Sequence, residues 1–278
     1  MTALAVSTVL FDGYDFDVAL SELAGAGVTR VEPAFIRGYV DFDESDFSET
    51  AAARLGQKAA AHGLGIASVS AHLDLGAPGA EDMLRRRIAF AAGLGARHLL
   101  TNTADRADED RFLRVMEQIA PSCEAAGVVL ALENPGHGTD SLIGNLADGN
   151  ALMQRIGGAW VGLNYDIGNV HTYSQGQCDP RKDLDNDLRH IVHVHAKDID
   201  EPGGNWVFTP IGQGVLDYAA ILRRLAQRED LPIALEIPLR LERPARADPR
   251  RRASPPPLDE IRAALAASLA FCRAHGIG

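Results

Sequence analysis

Strand-like and helix-like segments alternate eight times along the chain, and no other pattern limits the fold so strongly. The strand candidates are 4–9, 28–32, 65–72, 97–102, 128–134, 160–166, 190–197 and 232–238. Helical patterns follow them, such as AEDMLRRRIAFAAGLG (80–95) and DEDRFLRVMEQIAPSCEAAG (108–127), with weaker ones at 146–157 and 181–189. Several helices close on glycine just before the next strand (Gly27, Gly63, Gly95, Gly127), where a left-handed cap is expected. Strands separated by helices pair in parallel, and a parallel sheet needs helices over its face. Eight such units predict closure into a single (β/α)8 TIM barrel. An open doubly wound sheet is the alternative, but no Gly-rich phosphate fingerprint follows the first strand.

The 278 residues suit one barrel, which runs to about 250 residues, so 1–278 is read as a single domain. One stretch, RLERPARADPRRRASPPP (240–257), is rich in Arg and Pro and has little to bury. It predicts a long mobile surface loop before the last helix, solvated or used as a lid or subunit contact. A formal net charge of -11 argues against a general nucleic-acid surface, since neutralising phosphates needs clustered Lys and Arg. No uncharged apolar run reaches membrane-spanning length. Cys123, Cys178 and Cys272 are odd in number and far apart, which fits neither a metal finger nor a disulfide framework. The opening MTALAVSTVLFDGYDFD lacks a basic segment and meets Asp12 early, so it reads as a first strand rather than a signal peptide. A cytoplasmic chain is expected, with no membrane or nucleic-acid partner.

Side-chain parity carries the functional reading, because strand side chains alternate between faces. Val129, Ala131 and Glu133 share one face of 128–134, as do Gly162, Asn164 and Asp166 in 160–166. His193, His195 and Lys197 share a face of 190–197, and Ala234 and Glu236 share one of 232–238. The opposite faces carry the bulky aliphatics, with Val192 and Val194 among them, and suit burial under helices. The small and polar faces then line the lumen, and Glu133, Asp166, His195 and Glu236 all fall on it near strand ends. Any one of these alone is more often a cap, an ion-pair partner or an interior histidine. Together on successive strands they describe a site for one divalent metal ion, because clustered carboxylates repel one another unless a cation is present. Three carboxylates and one imidazole suit Mn²⁺, Mg²⁺ or Co²⁺ better than a thiolate zinc site, although Zn²⁺ also fits.

At LEN (132–134), NYDIGN (164–169), HVHAKD (193–198), FTPIGQGVLDY (208–218) and LEI (235–237), the chain resembles the sugar-phosphate isomerase/epimerase group of the xylose-isomerase-like TIM barrel superfamily. The resemblance covers nearly the whole chain. It implies that Glu133, Asp166, His195 and Glu236 hold the metal and that Glu133 and Glu236 are the catalytic acid/base pair. Many members have His three residues after the Asp ligand, where this chain has Asn169. The related apurinic endonucleases need further His ligands; here the fourth strand ends in Asn102 and no Asp-x-His pair follows His195.

The activity so implied is isomerisation or epimerisation of a small sugar, polyol or keto-sugar acid, by proton transfer through a metal-stabilised enediolate. A dehydratase of the inosose or dehydroshikimate type shares the first step and is the alternative. A non-catalytic barrel fits less well, since the ligand set is intact. Further candidates for contact with substrate are His72, on the face of Ser68 and Ser70, and Asn169, Lys197 and Glu32. His193, one layer deeper than His195, is expected to orient a ligand. Phe35 and Trp206 are expected in loops that wall the pocket. Such aromatics equally suit contact between subunits, so a homo-oligomer is compatible with the sequence.

Overall fold

The computed structural model describes residues 4–228 and 230–278. Its parallel sheet runs Ala34–Phe35, Ser68–Ala71, His98–Asn102, Val129–Glu133, Val161–Asp166, Ile191–Ala196, Ile233–Leu235, Leu4–Ser7, Arg30–Glu32, Gly65–Ile66. The two ends of this order belong to the same two strands. Arg30–Glu32 and Ala34–Phe35 are one strand interrupted at Pro33, which has no N–H to donate. Gly65–Ile66 and Ser68–Ala71 are likewise one strand interrupted at Ala67. Arg30 pairs with Gly65 and Ala34 with Ser70, so the sheet closes on itself across a one-residue register shift. The fold is the expected (β/α)8 barrel.

Leu130, Leu132, Leu163, Val194 and Leu235 are buried between the strands and the outer helices. Those helices are Phe16–Gly25, Glu49–Ala61, Ala80–Gly93, Glu109–Ala126, Leu146–Ile156, Tyr218–Leu225 and Leu258–Ala274. After the sixth strand come two short helices, Ile167–Tyr173, which the sequence pattern did not mark, and Pro180–Asp183, which overlaps only the start of the weak pattern at 181–189. Gly27, Gly63, Gly95 and Gly127 all have φ between 66° and 78°, the left-handed conformation that ends a helix at low cost. Among the described residues no helix is long and apolar enough to cross a membrane.

Strict alternation fails in the seventh strand. Leu163 pairs with Ile191 but Asn164 pairs with His193, which leaves Val192 as an extra residue. Val192 turns toward the lumen against Gly162 rather than outward under the helices: a Cβ on Gly162 would stand 2.5 Å from Val192 Cγ1. Beyond this bulge Asp166 pairs with His195, and His195 with Ala234, two residues before Glu236. Glu133 pairs with Asn164, two residues before Asp166. Offsets of two preserve parity, so all four side chains enter the lumen at its C-terminal mouth.

The segment 240–257 is not the unstructured loop its composition predicts. Leu241–Arg243 and Arg250–Arg251 join Asp198–Asp200 and Trp206–Thr209 in a four-stranded antiparallel sheet beside the mouth. Ile199, Trp206, Phe208 and Leu241 form its small apolar core. The arginines find partners elsewhere: Arg251 bonds both Asp12 and Asp41, and Arg243 donates to the carbonyls of Gly136 and Ala247.

Candidate active site

The four expected metal-ligating side chains converge. Glu133, Asp166, His195 and Glu236 each offer an atom within 4.8 Å of the others, and all four are buried. His195 Nδ1 lies 3.0 Å from Glu133 Oε2, 3.5 Å from Glu236 Oε2 and 3.7 Å from Asp166 Oδ2. Four atoms aimed at this point are buried without a hydrogen bond: His195 Nδ1, Asp166 Oδ2 and both oxygens of Glu236. Lys197 Nζ is the nearby cation, 2.7 Å from Asp166 Oδ2 and close against Glu236 Oε2, but not aligned as a hydrogen bond to either. Orphaned buried carboxylate oxygens are costly, and a divalent cation would satisfy them together. A set of three carboxylates and one imidazole fits such an ion.

The surroundings hold each group in place. Asp166 caps the helix Ile167–Tyr173 by accepting from Asn169 N (2.8 Å), which leaves Oδ2 for the centre. Asn134 locks the same strand end, donating to Asp166 O and accepting from Asp166 N, both at 2.9 Å. Asn164 donates to Glu133 Oε2 (2.5 Å) and Asn169 to Glu133 Oε1 (3.1 Å). Asn169 also accepts from Lys197 Nζ at 3.1 Å, so one amide ties the lysine to the glutamate.

Burial and charge oppose each other here. Burial alone would raise Glu133, but the His72 and His195 imidazoles overcome it and hold the carboxyl well below the usual range. Burial raises Glu236, and Lys197 and His195 do not fully offset this. His195 and Lys197 would be lowered by burial, yet the surrounding carboxylates keep both well above their ordinary values.

A cavity of about 360 Å³ opens over these groups at the C-terminal end of the barrel, where such barrels carry their sites. Glu133, Glu236, Asn169, Lys197 and His72 line it, while Asp166 and His195 lie beneath. His72 Nε2 stands 3.0 Å from Ser70 Oγ and 3.5 Å from Glu133 Oε2. Tyr39 and His137 come to the same wall from irregular loops, where no periodicity marked them. Asn134 and Asn164 were in plain view beside Glu133 and Asp166, but their amides acquire a role only from partners on neighbouring strands.

Three expected substrate contacts sit elsewhere. Glu32 lies below the cavity, bonded to His195 and Ser68 rather than facing substrate. Phe35 belongs to a cluster with Phe16, Phe42, Phe47 and Phe90, and lines a separate cavity on the barrel flank. Its short strand pairs with Ser68–Ala71, so its ring points outward to the helices. Trp206 is fully buried in the small antiparallel sheet, with Arg243 over its ring and its Nε1 donating to Glu201. His193 is placed as expected, beneath His195, with Nδ1 2.8 Å from Asn164 Oδ1. Glu32, His193 and His195 form a second buried cluster of metal-ligating type, closed off from the cavity.

The family described as xylose isomerase-like TIM barrel matches residues 20–268. Among solved structures, L-ribulose 3-epimerase aligns with TM-score 0.72 at 18% identity, over 99% of this chain and 94% of that one. D-psicose 3-epimerase from Clostridium cellulolyticum H10 aligns at 0.76 and 14% identity over 100% of both chains. A probable 3-DHS dehydratase from Bacillus anthracis aligns at 0.63 and 16% identity, over 85% of this chain and 92% of that one. At these identities the likeness is one of fold. No curated protein sequence matches the chain.

Proposed function

This chain belongs to the xylose isomerase-like TIM-barrel family, and we propose that it is a divalent-metal-dependent isomerase or epimerase of a small sugar, polyol or keto-sugar acid. One observation carries the reading: of the four converging candidate ligands, Glu133 and Glu236 also line the cavity, while Asp166 and His195 lie beneath it. Held by those four residues, the ion would polarise a carbonyl and its neighbouring hydroxyl and so acidify the proton on carbon. The two glutamates reach the cavity from the fifth and eighth strands, and so address a substrate from two sides. One removes the proton from carbon. If the other returns a proton to the opposite face of that carbon, the product is an epimer; return to the adjacent carbon gives an isomer. Lys197, Asn169 and His72 line the same space and would hold substrate oxygens.

The names of two structural neighbours, L-ribulose 3-epimerase and D-psicose 3-epimerase, support carbohydrate chemistry. A dehydratase is the second reading, supported by the 3-DHS dehydratase neighbour. It would use the same proton removal and then expel a β-hydroxyl. The test is incubation with Mn²⁺ and a panel of ketoses and inososes in D₂O. Deuterium should enter substrate at the carbon beside the carbonyl, and Glu133→Gln and Glu236→Gln should each abolish it while folding normally. Full exchange in both variants would overturn the assignment, and an enone absorbance without exchange into recovered substrate would favour the dehydratase.

A further inference from the structure

Glu32 is a fully buried lumen carboxylate outside the four converging ligands. A buried anion is costly unless its oxygens are matched, and those of Glu32 are. Ser68 Oγ donates to Oε2 and His195 Nε2 stands 2.8 Å from Oε1, while His193 Nε2, 3.4 Å from Oε2, makes no hydrogen bond to it. Glu32 lies on the second strand and His195 on the seventh, so the 2.8 Å contact spans the lumen.

The contact has a chemical consequence. A carboxylate only accepts, so the His195 nitrogen facing it keeps its proton. Nδ1 is then the nitrogen left to offer a lone pair to a cation, and it is the one among Glu133, Asp166 and Glu236. We propose that Glu32 is a positioning residue: it fixes which nitrogen of His195 faces the ligand cluster and makes that nitrogen a stronger donor to a divalent cation. This rests on the metal-dependent reading of the site. Outer carboxylates of this kind orient an imidazole ligand and raise its basicity.

The neighbours supply a clean variant. Asn164 donates to Glu133 through Nδ2, so its Oδ1 accepts from His193 Nδ1, and His193 Nε2 is left as an unpartnered lone pair beside Glu32. In Glu32→Gln the amide oxygen can still accept from His195 Nε2, while its NH₂ can donate to His193. The substitution therefore removes the charge and keeps the bond from His195, while Ser68 Oγ, which donates to Oε2 in the wild type, must turn to accept from the new NH₂.

Co²⁺ affinity by calorimetry, the visible spectrum of bound Co²⁺ and the melting temperature of the metal-free chain test the proposal together. Glu32→Gln should bind Co²⁺ about 10–100-fold more weakly, with altered Co²⁺ bands and a metal-free melting temperature no lower than wild type. Glu32→Asp, which keeps the charge at shorter reach, should recover part of the affinity. Wild-type affinity in Glu32→Gln, or an aspartate variant that binds no tighter than the glutamine one, would overturn the assignment. A wild-type chain that binds no Co²⁺ would overturn it together with the metal reading, a result distinct from either of those.

Discussion

Glu133, Asp166, His195 and Glu236 were legible because each depends on its own strand alone: parity puts it in the lumen and strand length puts it at the mouth. Glu32 was not, since its role comes from His195, 163 positions away, and no periodicity tells which lumen side chains touch. His98 adds a residue-scale consequence at the opposite end of the barrel. Burial, reinforced by Arg97, lowers its imidazole to about 4. Its unfolded value is near 6.5, so the neutral form favours the fold. That stability is complete above pH 6.5 and is lost as pH falls from there through about 4, an effect of about 3 kcal/mol. Urea unfolding at pH 7 and pH 4 should therefore show a smaller acid loss in His98→Gln than in wild type. Equal losses in the two proteins would remove His98 as a source of acid sensitivity.

At the scale of elements, the alternation of strands and helices was read with ends close to those observed, because hydrophobic periodicity and glycine caps are local signals. Register is not local. The bulge at Val192 depends on the neighbouring strand and on the space left by Gly162. Gly162→Ala would put a methyl 2.5 Å from Val192 Cγ1 and 2.9 Å from His190 O. It should destabilise the protein by about 1–3 kcal/mol, seen as a lower melting temperature. The Arg/Pro-rich segment escaped recognition for a related reason: its guanidinium groups find partners far away in sequence. Arg251 ties its strand to Asp12 and Asp41, more than 200 positions away. Arg251→Ala should speed hydrogen exchange across Leu241–Arg251 and leave Val129–Glu133 protected. Unchanged exchange at 241–251 would show that the small apolar core suffices.

Across the whole molecule, the primary candidate ligands all come from the last four barrel strands, while Glu32, Ser68 and His72 come from the second and third. The closed ring is what brings these halves together around one lumen. On the proposed reading, buried carboxylates with orphaned oxygens would make the folded chain bind a dication more tightly than the unfolded chain. Titration of the metal-free chain with Mn²⁺, with bound ion counted by elemental analysis after desalting, tests this most directly. One Mn²⁺ per wild-type chain and none per Asp166→Ala chain is the predicted result. No retained ion in wild type, or equal retention in Asp166→Ala, would contradict it.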